Sequence, residues 1–463
     1  MKIICAANAF EGHYLQKLSS SKNLGEGSGG RKYFRFFIDG PWGNTLFMKN
    51  FGSGNKARKG ALLEFQNSGL LQEEGVPCVQ AWAVVQNADD YLLFLTDYGE
   101  SSSLDREKLI QNPRLLKKLG ALVSKLHSSN LVHGDLHIWN LLHDNEDIFL
   151  TDLKTLRSSS SSTARLLDFG HLLSRLNPLP TELLLTLSNA YSGNIAPPEM
   201  EKAGWVRFRE HQCNLDRRAK REAHGTHPAI WRIDSFDTQT IQTRTLLKDK
   251  AESPSSVHLA VLPDSSSAVY KHYRPTKRLD LRNAFGFSKA LKSLFAAESL
   301  QRRNIQAAKP LACWSDSSVG SFLLLEDLSH LPRLQDSLAE LSQKERRKLL
   351  QELGAFTLRL HQSGVYYRDL KPSNILVNQD ASTENRFVLI DHDRNRFLRR
   401  QLRPTEAAKD LAALHVGLYK TVPARDLLFG LKQYGISILP HLEFATAARL
   451  QKRGQAMIPF LTK

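Results

Sequence analysis

The sequence predicts an α+β protein built from two tandem copies of one domain. Three observations predict it. The chain has 463 residues, room for two to four domains at roughly 100–200 residues each. The stretch Leu119–Leu142, LGALVSKLHSSNLVHGDLHIWNLL, aligns without a gap on Leu353–Leu376, LGAFTLRLHQSGVYYRDLKPSNIL, with ten of 24 positions identical. A match of that density, offset by half the chain, points to an internal repeat. Each copy also repeats one local order: an amphipathic helix, a short polar loop, and a short apolar strand that ends on aspartate.

The helices come first. Leu115, Leu116, Leu119, Leu122 and Leu126 recur at helical spacing, as do Leu349, Leu350, Leu353, Phe356 and Leu360. Each run buries one face. Asn130 and Gly364 tolerate the left-handed conformation and stop the helices. The strands Ile148–Thr151 and Phe387–Ile390 follow, ending on Asp152 and Asp391. Between the copies, Lys202, Arg207, Arg209, Arg217, Arg218, Lys220 and Arg221 make a basic segment, and the boundary is expected near residue 225. Ser158–Ser162 reads as a surface loop.

Composition narrows the class. Hydrophobic residues are 41% and charged residues 24%, as in globular chains. Lys and Arg number 63 against 47 Asp and Glu, a net +16 that favours anionic company: nucleotide, nucleic acid or a phosphorylated membrane surface. The bland alternative is a solvated basic face. Cys5, Cys78, Cys213 and Cys313 are scattered, which argues against zinc or disulfides and fits a reducing compartment. The run from Met1 to Tyr14 lacks a signal-peptide pattern, and no stretch approaches a membrane span of about 18 apolar residues. A cytoplasmic location is expected, with peripheral attachment to the inner face of a membrane as a further expectation.

The loops carry the chemistry. Asp135 and Asn140 lie five apart, as do Asp369 and Asn374. Such a loop can aim its carboxylate at an acceptor hydroxyl and return its amide to a metal ion, as phosphoryl transfer from ATP requires. Asp152 and Asp391 follow the asparagines at the ends of the next apolar strands and can complete the metal set. These residues could merely cap turns, and one D-x-x-x-x-N would favour that. Two copies in the same context argue against it.

HGDLHIWN (His133–Asn140) resembles the catalytic loop of small-molecule and lipopolysaccharide kinases, and YRDLKPSN (Tyr367–Asn374) resembles that of the protein-kinase-like fold in general. The nearest resemblance is to the lipopolysaccharide kinase (Kdo/heptose kinase) family. It implies two bilobal modules, residues 1–225 with a basic C-terminal connector and residues 226–463. Each would set a small antiparallel sheet with one helix above a helical lobe. It also implies ATP and Mg²⁺ as cofactors and a sugar hydroxyl of lipopolysaccharide as acceptor.

Upstream, Gly25, Gly27, Gly29 and Gly30 precede an alternating strand and suit a phosphate-contacting turn, though a flexible hairpin fits the composition equally. By the resemblance Lys49 in TLFMKNF pairs with Glu64, while Glu73 and Glu74 are exposed. The second copy supplies Lys271 in AVYKHYRP without a glycine-rich loop before it. Its nearest glutamate is Glu298, and the position that matches Glu64 by spacing is Ser293. Asp168-Phe169-Gly170 spells a metal-binding triplet of the superfamily, but it lies too far past Asn140 for a short hairpin. Asp152 is therefore assigned to metal. Asp168 and its counterpart Asp410 are expected to begin helices and to anchor the catalytic loops or cap.

The run from Asp152 to Asp168 is short, as is that from Asp391 to Asp410, and neither contains an APE motif. That favours a non-protein acceptor. The Ser/Thr character of RDLKPSN keeps a protein kinase as the alternative, and a pseudokinase scaffold is a third reading. Nucleic-acid binding is not expected, because basic residues without interleaved aromatics or base-reading motifs do not support it.

Overall fold

The computed structural model describes residues 1–8, 10, 13–14, 21–27, 31–99, 104–144, 147–176, 179–193, 195–225, 230–231, 242–248, 255–262, 264–274, 288–316, 319–419 and 421–452. The chain divides into two compact units, Met1–Phe208 and Arg209–Lys463.

Unit 1 opens with β1 (Lys2–Ala6), β2 (Ser21–Gly27), β3 (Arg31–Gly40), β4 (Gly43–Ser53), helix α1 (Gly54–Glu73), β5 (Ala81–Asn87) and β6 (Asp90–Thr96). The strands form one sheet in the order β1-β5-β6-β4-β3-β2, every pair antiparallel. Ala57, Ala61, Glu64, Ser68 and Leu71 are buried along α1 at helical spacing, so Glu64 lies on the buried stripe. Phe36, Trp42, Leu46, Trp82 and Phe94 make one core cluster of this sheet.

The rest of unit 1 is mainly helical: α2 (Arg106–Gln111), α3 (Pro113–Ser128), β7 (Leu131–Val132), β8 (Leu141–His143), β9 (Ile148–Leu150), β10 (Arg157–Ser158), α4 (Ser162–Leu176), α5 (Thr181–Ala190) and the start of α6 (Pro197–Gly225). Asn112 caps α3, and Pro113 occupies its first turn. Leu116, Leu119, Val123 and Leu126 are fully buried in the main core, and Asn130 ends the turn at φ +55°. Gly120 sits where an added Cβ would meet the Leu187 carbonyl at 2.6 Å, so α3 and α5 approach closely only because of it.

Unit 2 repeats the plan. Its sheet holds β11 (Ile230–Trp231), β12 (Gln242–Lys248), β13 (Ser255–Val261), β14 (Ser267–Tyr273), β15 (Pro310–Asp316) and β16 (Gly320–Glu326), with α7 (Lys289–Gln301) inserted before β15. The strand order, β11-β15-β16-β14-β13-β12, is that of unit 1. Then come α8 (Leu334–Glu340), α9 (Gln343–Gln362), β17 (Val365–Tyr366), β18 (Ile375–Val377), β19 (Phe387–Leu389), β20 (Arg396–Phe397), α10 (Pro404–Leu418), α11 (Ala424–Leu431) and α12 (Leu439–Lys452). A Ser342–Glu345 capping box starts α9, and Gly364 at φ +81° closes its turn.

Three expectations change. The division falls inside α6, not near residue 225, because residues from 209 onward pack with unit 2: Asp216 accepts from Arg303 Nη2 at 2.8 Å, Arg302 Nη2 at 2.9 Å and Ser299 Oγ at 2.7 Å. The basic segment is thus helix, and one of its seven cations, Arg209, is buried and donates to the Gln362 carbonyl at 2.7 Å. Asp168 and Asp410 sit within α4 and α10 and do not begin them.

Candidate active site

In unit 1 the alternation of β4 carries Lys49 inward, 5% exposed. Its ammonium donates to Glu64 Oε2 at 2.8 Å and Oε1 at 3.1 Å, and to Asp152 Oδ1 at 2.5 Å. Lys154, one short turn on, donates to the other Asp152 oxygen at 2.5 Å. Burial works to lower Lys49, but Glu64 and Asp152 outweigh it and raise it. Burial works to raise Asp152, but Lys49 and Lys154 outweigh it and hold the carboxyl well below the usual range. Burial also raises the Glu64 carboxyl against the pull of Lys49, so Asp152 is the firmer anion of the two.

The loop with Asp135 is held from beneath. Asp168, fully buried, accepts the backbone N–H of His133 at 2.7 Å and of Gly134 at 2.8 Å. His127 approaches the same carboxylate at 3.3 Å and meets the Tyr191 hydroxyl at 2.9 Å with its other nitrogen. Gly134 stands at φ +78°, where an added Cβ would lie 2.8 Å from the Thr155 carbonyl. Asn140 donates its amide to the Asp135 carbonyl at 3.0 Å, which leaves its side-chain oxygen as the atom with lone pairs to offer. The backbone N–H of Thr151 bonds to the Asn140 carbonyl at 3.0 Å and so brings Asp152 beside the loop.

Asp135 itself is 40% exposed at its side chain. His137 Nε2 lies 3.8 Å from one of its oxygens and His171 Nδ1 3.7 Å from the other. Burial lowers both imidazoles, with Arg175 pressing on His137 and Arg207 on His171, so both are mainly neutral at pH 7.

Unit 2 repeats the loop with different dressing. Asp410, fully buried, accepts from the N–H groups of Tyr367 at 2.9 Å and Arg368 at 2.7 Å. His361 and Tyr434 stand beneath as His127 and Tyr191 do in unit 1, 2.8 Å apart. Asn374 donates to the Asp369 carbonyl at 3.0 Å, and Ile390 N–H bonds to the Asn374 carbonyl at 3.0 Å. Arg368 holds the left-handed place of Gly134 at φ +71°. Asp369 meets Lys371 Nζ at 2.9 Å and Arg449 Nη2 at 3.6 Å.

The lysine site differs. Lys271 donates to Asp391 Oδ1 at 2.5 Å and lies 5.0 Å from the Tyr273 ring centre. Burial works to lower it, and Tyr273 and Asp391 outweigh that and raise it. Ser293, at the position of Glu64, bonds to the Tyr273 hydroxyl at 3.0 Å. Glu298 does not pair with Lys271. It lies five positions further along α7, about 140° around the helix, and sits 3.5 Å from Arg302.

Of the residues expected from sequence, Lys49, Glu64 and Asp152 are gathered at one point, and Asp135 and Asn140 share one loop, as do Asp369 and Asn374. Gly25 and Gly27 fall in β2, whereas Gly29 and Gly30 lie outside the described residues. Glu73 and Glu74 are exposed. Sequence reasoning missed Lys154, Lys371, His137, His171, Arg175 and Arg449. The first three stand two positions after a motif aspartate and could have been read from spacing; His171, Arg175 and Arg449 carry no local signal.

Among the described residues no cluster of three His, Cys, Asp or Glu side chains stands ready for a metal. Asn140 and Asp152 offer amide and carboxylate oxygens, as do Asn374 and Asp391. Such donors fit Mg²⁺, which keeps water and takes further oxygens from nucleotide phosphates.

Residues 273–430 match the model of the lipopolysaccharide kinase (Kdo/WaaP) family. A probable bifunctional tRNA threonylcarbamoyladenosine biosynthesis protein of Methanosarcina mazei is 44% identical over 61 residues, and one of Methanosarcina acetivorans is 43% identical over 61. These matches cover 13% of this chain and 11% of each relative's length. The solved aminoglycoside-3'-phosphotransferase of type VIII is 17% identical, covering 39% of this chain and 90% of that one, with a TM-score of 0.31. The family match, on a unit that carries the Asp–Asn loop and its lysine–aspartate pair, makes the chain a phosphotransferase of the kinase class.

Proposed function

We propose that the chain is a tandem pair of kinase-like modules in which unit 1 transfers the terminal phosphate of ATP to a sugar hydroxyl, with lipopolysaccharide as the acceptor class. The observation that carries this reading is Lys49 held between Glu64 and Asp152. That ammonium is fixed in place to meet phosphate oxygens. Asp135 would accept the acceptor's proton, and the Asp168 contacts would keep its loop rigid. Mg²⁺, held through Asn140 and Asp152, would neutralise charge on the phosphates.

The family match falls on unit 2, whose lysine lacks a glutamate partner. We assign unit 2 a regulatory or weaker catalytic part. A non-protein acceptor is supported by the short run from Asp152 to α4, which begins at Ser162 and leaves little chain to shape a peptide site. No helix among the described residues is long and apolar enough to cross a membrane. Arg217, Arg218, Lys220 and Arg221 lie on α6 and could hold the chain at an anionic inner leaflet.

The test is phosphate transfer from labelled ATP by the purified chain, to core oligosaccharide of lipopolysaccharide or to a generic protein substrate. Transfer to the oligosaccharide is expected. Transfer confined to protein would replace this reading with a Ser/Thr protein kinase, and ATP binding without transfer would replace it with a scaffold.

A further inference from the structure

Trp139 is 65% exposed, among the most exposed large apolar side chains described. Scattered exposed apolar residues are ordinary. This one has a contact on one face and another at its edge, beside the Asp135 loop. It immediately precedes Asn140 in the short turn Ile138–Asn140. The Arg175 guanidinium, from α4, lies 4.5 Å from its ring centre, and the His137 ring meets it edge-on at 5.7 Å and 73°. The same His137 stands 3.8 Å from the Asp135 carboxylate, and Asp135 acts electrostatically on Arg175. An indole pinned by a cation on one face, with most of its surface in water, is a preformed flat platform. It lies one side chain away from the group that would receive the acceptor's proton.

We infer that Trp139, pinned by Arg175, forms the acceptor subsite of unit 1: a pyranose ring stacks its C–H face on the indole face that Arg175 leaves open, and His137, whose ring meets the indole edge-on, hydrogen-bonds the sugar's oxygens. This rests on the reading of unit 1 as the phosphotransferase, and it names the residues that choose the acceptor. Stacking supplies apolar contact with a fixed ring orientation. His137 rejects rings that lack a matching oxygen, because its hydrogen-bonding capacity would be left unused. Unit 2 has Ser373 at the matching position, so this platform belongs to unit 1 alone.

The experiment uses the full chain with deacylated lipopolysaccharide core oligosaccharide as probe. Trp139→Ala is expected to raise the acceptor KM about tenfold, with kcat and the KM for ATP within about threefold. Trp139→Phe should restore most of the acceptor affinity, which a merely structural role would not explain. Titration of the oligosaccharide in the presence of a non-hydrolysable ATP analogue should change the intrinsic tryptophan fluorescence of the wild type and leave that of Trp139→Phe unchanged. Failure of the wild type to bind the probe, an unmoved acceptor KM in Trp139→Ala, or a fluorescence change that persists in Trp139→Phe overturns the platform. Asp135→Asn separates the two ideas: it should bind the oligosaccharide and fail to phosphorylate it. Full turnover in that variant would remove the assignment of catalysis to unit 1, while the platform would still be judged on KM and fluorescence.

Discussion

In unit 1, Lys49 sits between two carboxylates; in unit 2, Lys271 sits beside one carboxylate and a phenol that bonds to Ser293. The sheets share one strand order, and the loops share one Asp–Asn geometry and one buried aspartate beneath. The scaffold is therefore shared while the charge around the buried lysine differs. A backbone arrangement of this kind survives the loss of Glu64's counterpart because packing and backbone hydrogen bonds hold it. The lysine's alignment does not have that support.

The largest expected effect breaks the comparison outright. Asp135→Asn should lower phosphotransfer by about 10²- to 10⁴-fold, the range for removing a general base. Asp369→Asn should change it several-fold at most. Initial rates with the same acceptor decide the matter, and the reverse pattern would move catalysis to unit 2.

Next comes an effect in which the units should agree. Asp168 and Asp410 each satisfy two backbone N–H groups while fully buried. Replacing either with Ala strands those donors and should destabilise its unit by about 3 kcal/mol, seen as an earlier denaturant midpoint. The folded Asp168→Ala protein should still bind Mg-ATP, whereas Asp152→Ala should lose much of that affinity in calorimetry. Metal-dependent binding lost only in Asp168→Ala would reverse the two assignments.

Much of this was legible in the sequence because the repeat preserves local grammar. Helix periodicity, the stop at Asn130 or Gly364, and the D-x-x-x-x-N loop are all encoded within one short stretch of each copy, where spacing decides geometry. Lys49 and Glu64 were found through family resemblance and lie on adjoining elements, β4 and α1. His171, Arg175 and Arg449 reach the loops only through the way α4 and α12 pack, which no local pattern reports. The basic segment before residue 225 read as a connector because its charges dominate. Its buried members, Arg209 and Asp216, find their partners far off in the sequence, at Gln362, Ser299 and Arg303.

A smaller effect sharpens the contrast at the lysines. Glu64→Gln removes one anionic partner of Lys49 and leaves a neutral hydrogen-bond acceptor of the same shape. Charge-assisted bonds of this kind contribute about 2–3 kcal/mol, so kcat/KM for ATP should fall about 30- to 150-fold. Glu298→Gln, on the face of α7 that meets Arg302, should leave ATP kinetics unchanged. If Glu298→Gln were as damaging as Glu64→Gln, α7 would turn its other face to the lysine during turnover.

The smallest effect is a difference in acid sensitivity. The residue after the lysine-paired aspartate, Asp152 or Asp391, is Leu153 in unit 1 and His392 in unit 2. His392 is 2% exposed, with the Tyr367 hydroxyl 3.5 Å from its Nδ1. Burial pushes its imidazole down to about 4; Asp391 works to raise it and Lys271 to lower it. A histidine in the unfolded chain titrates near 6.5. Between those values the unfolded chain binds the proton that the folded chain refuses, so stability rises with pH across that window. The contribution is complete above about pH 6.5 and is lost as pH falls towards 4. Between pH 7 and pH 5 His392 should remove about 2 kcal/mol from unit 2, while Leu153 removes nothing from unit 1. His392→Leu gives unit 2 the residue of unit 1 at that place. Urea titrations of the full chain at the two pH values check this. The transition that His392→Leu shifts should lose less stability on acidification in the variant than in the wild type, by that same amount. Equal losses would mean that His392 takes its proton inside the folded unit, and that burial is not what sets its titration.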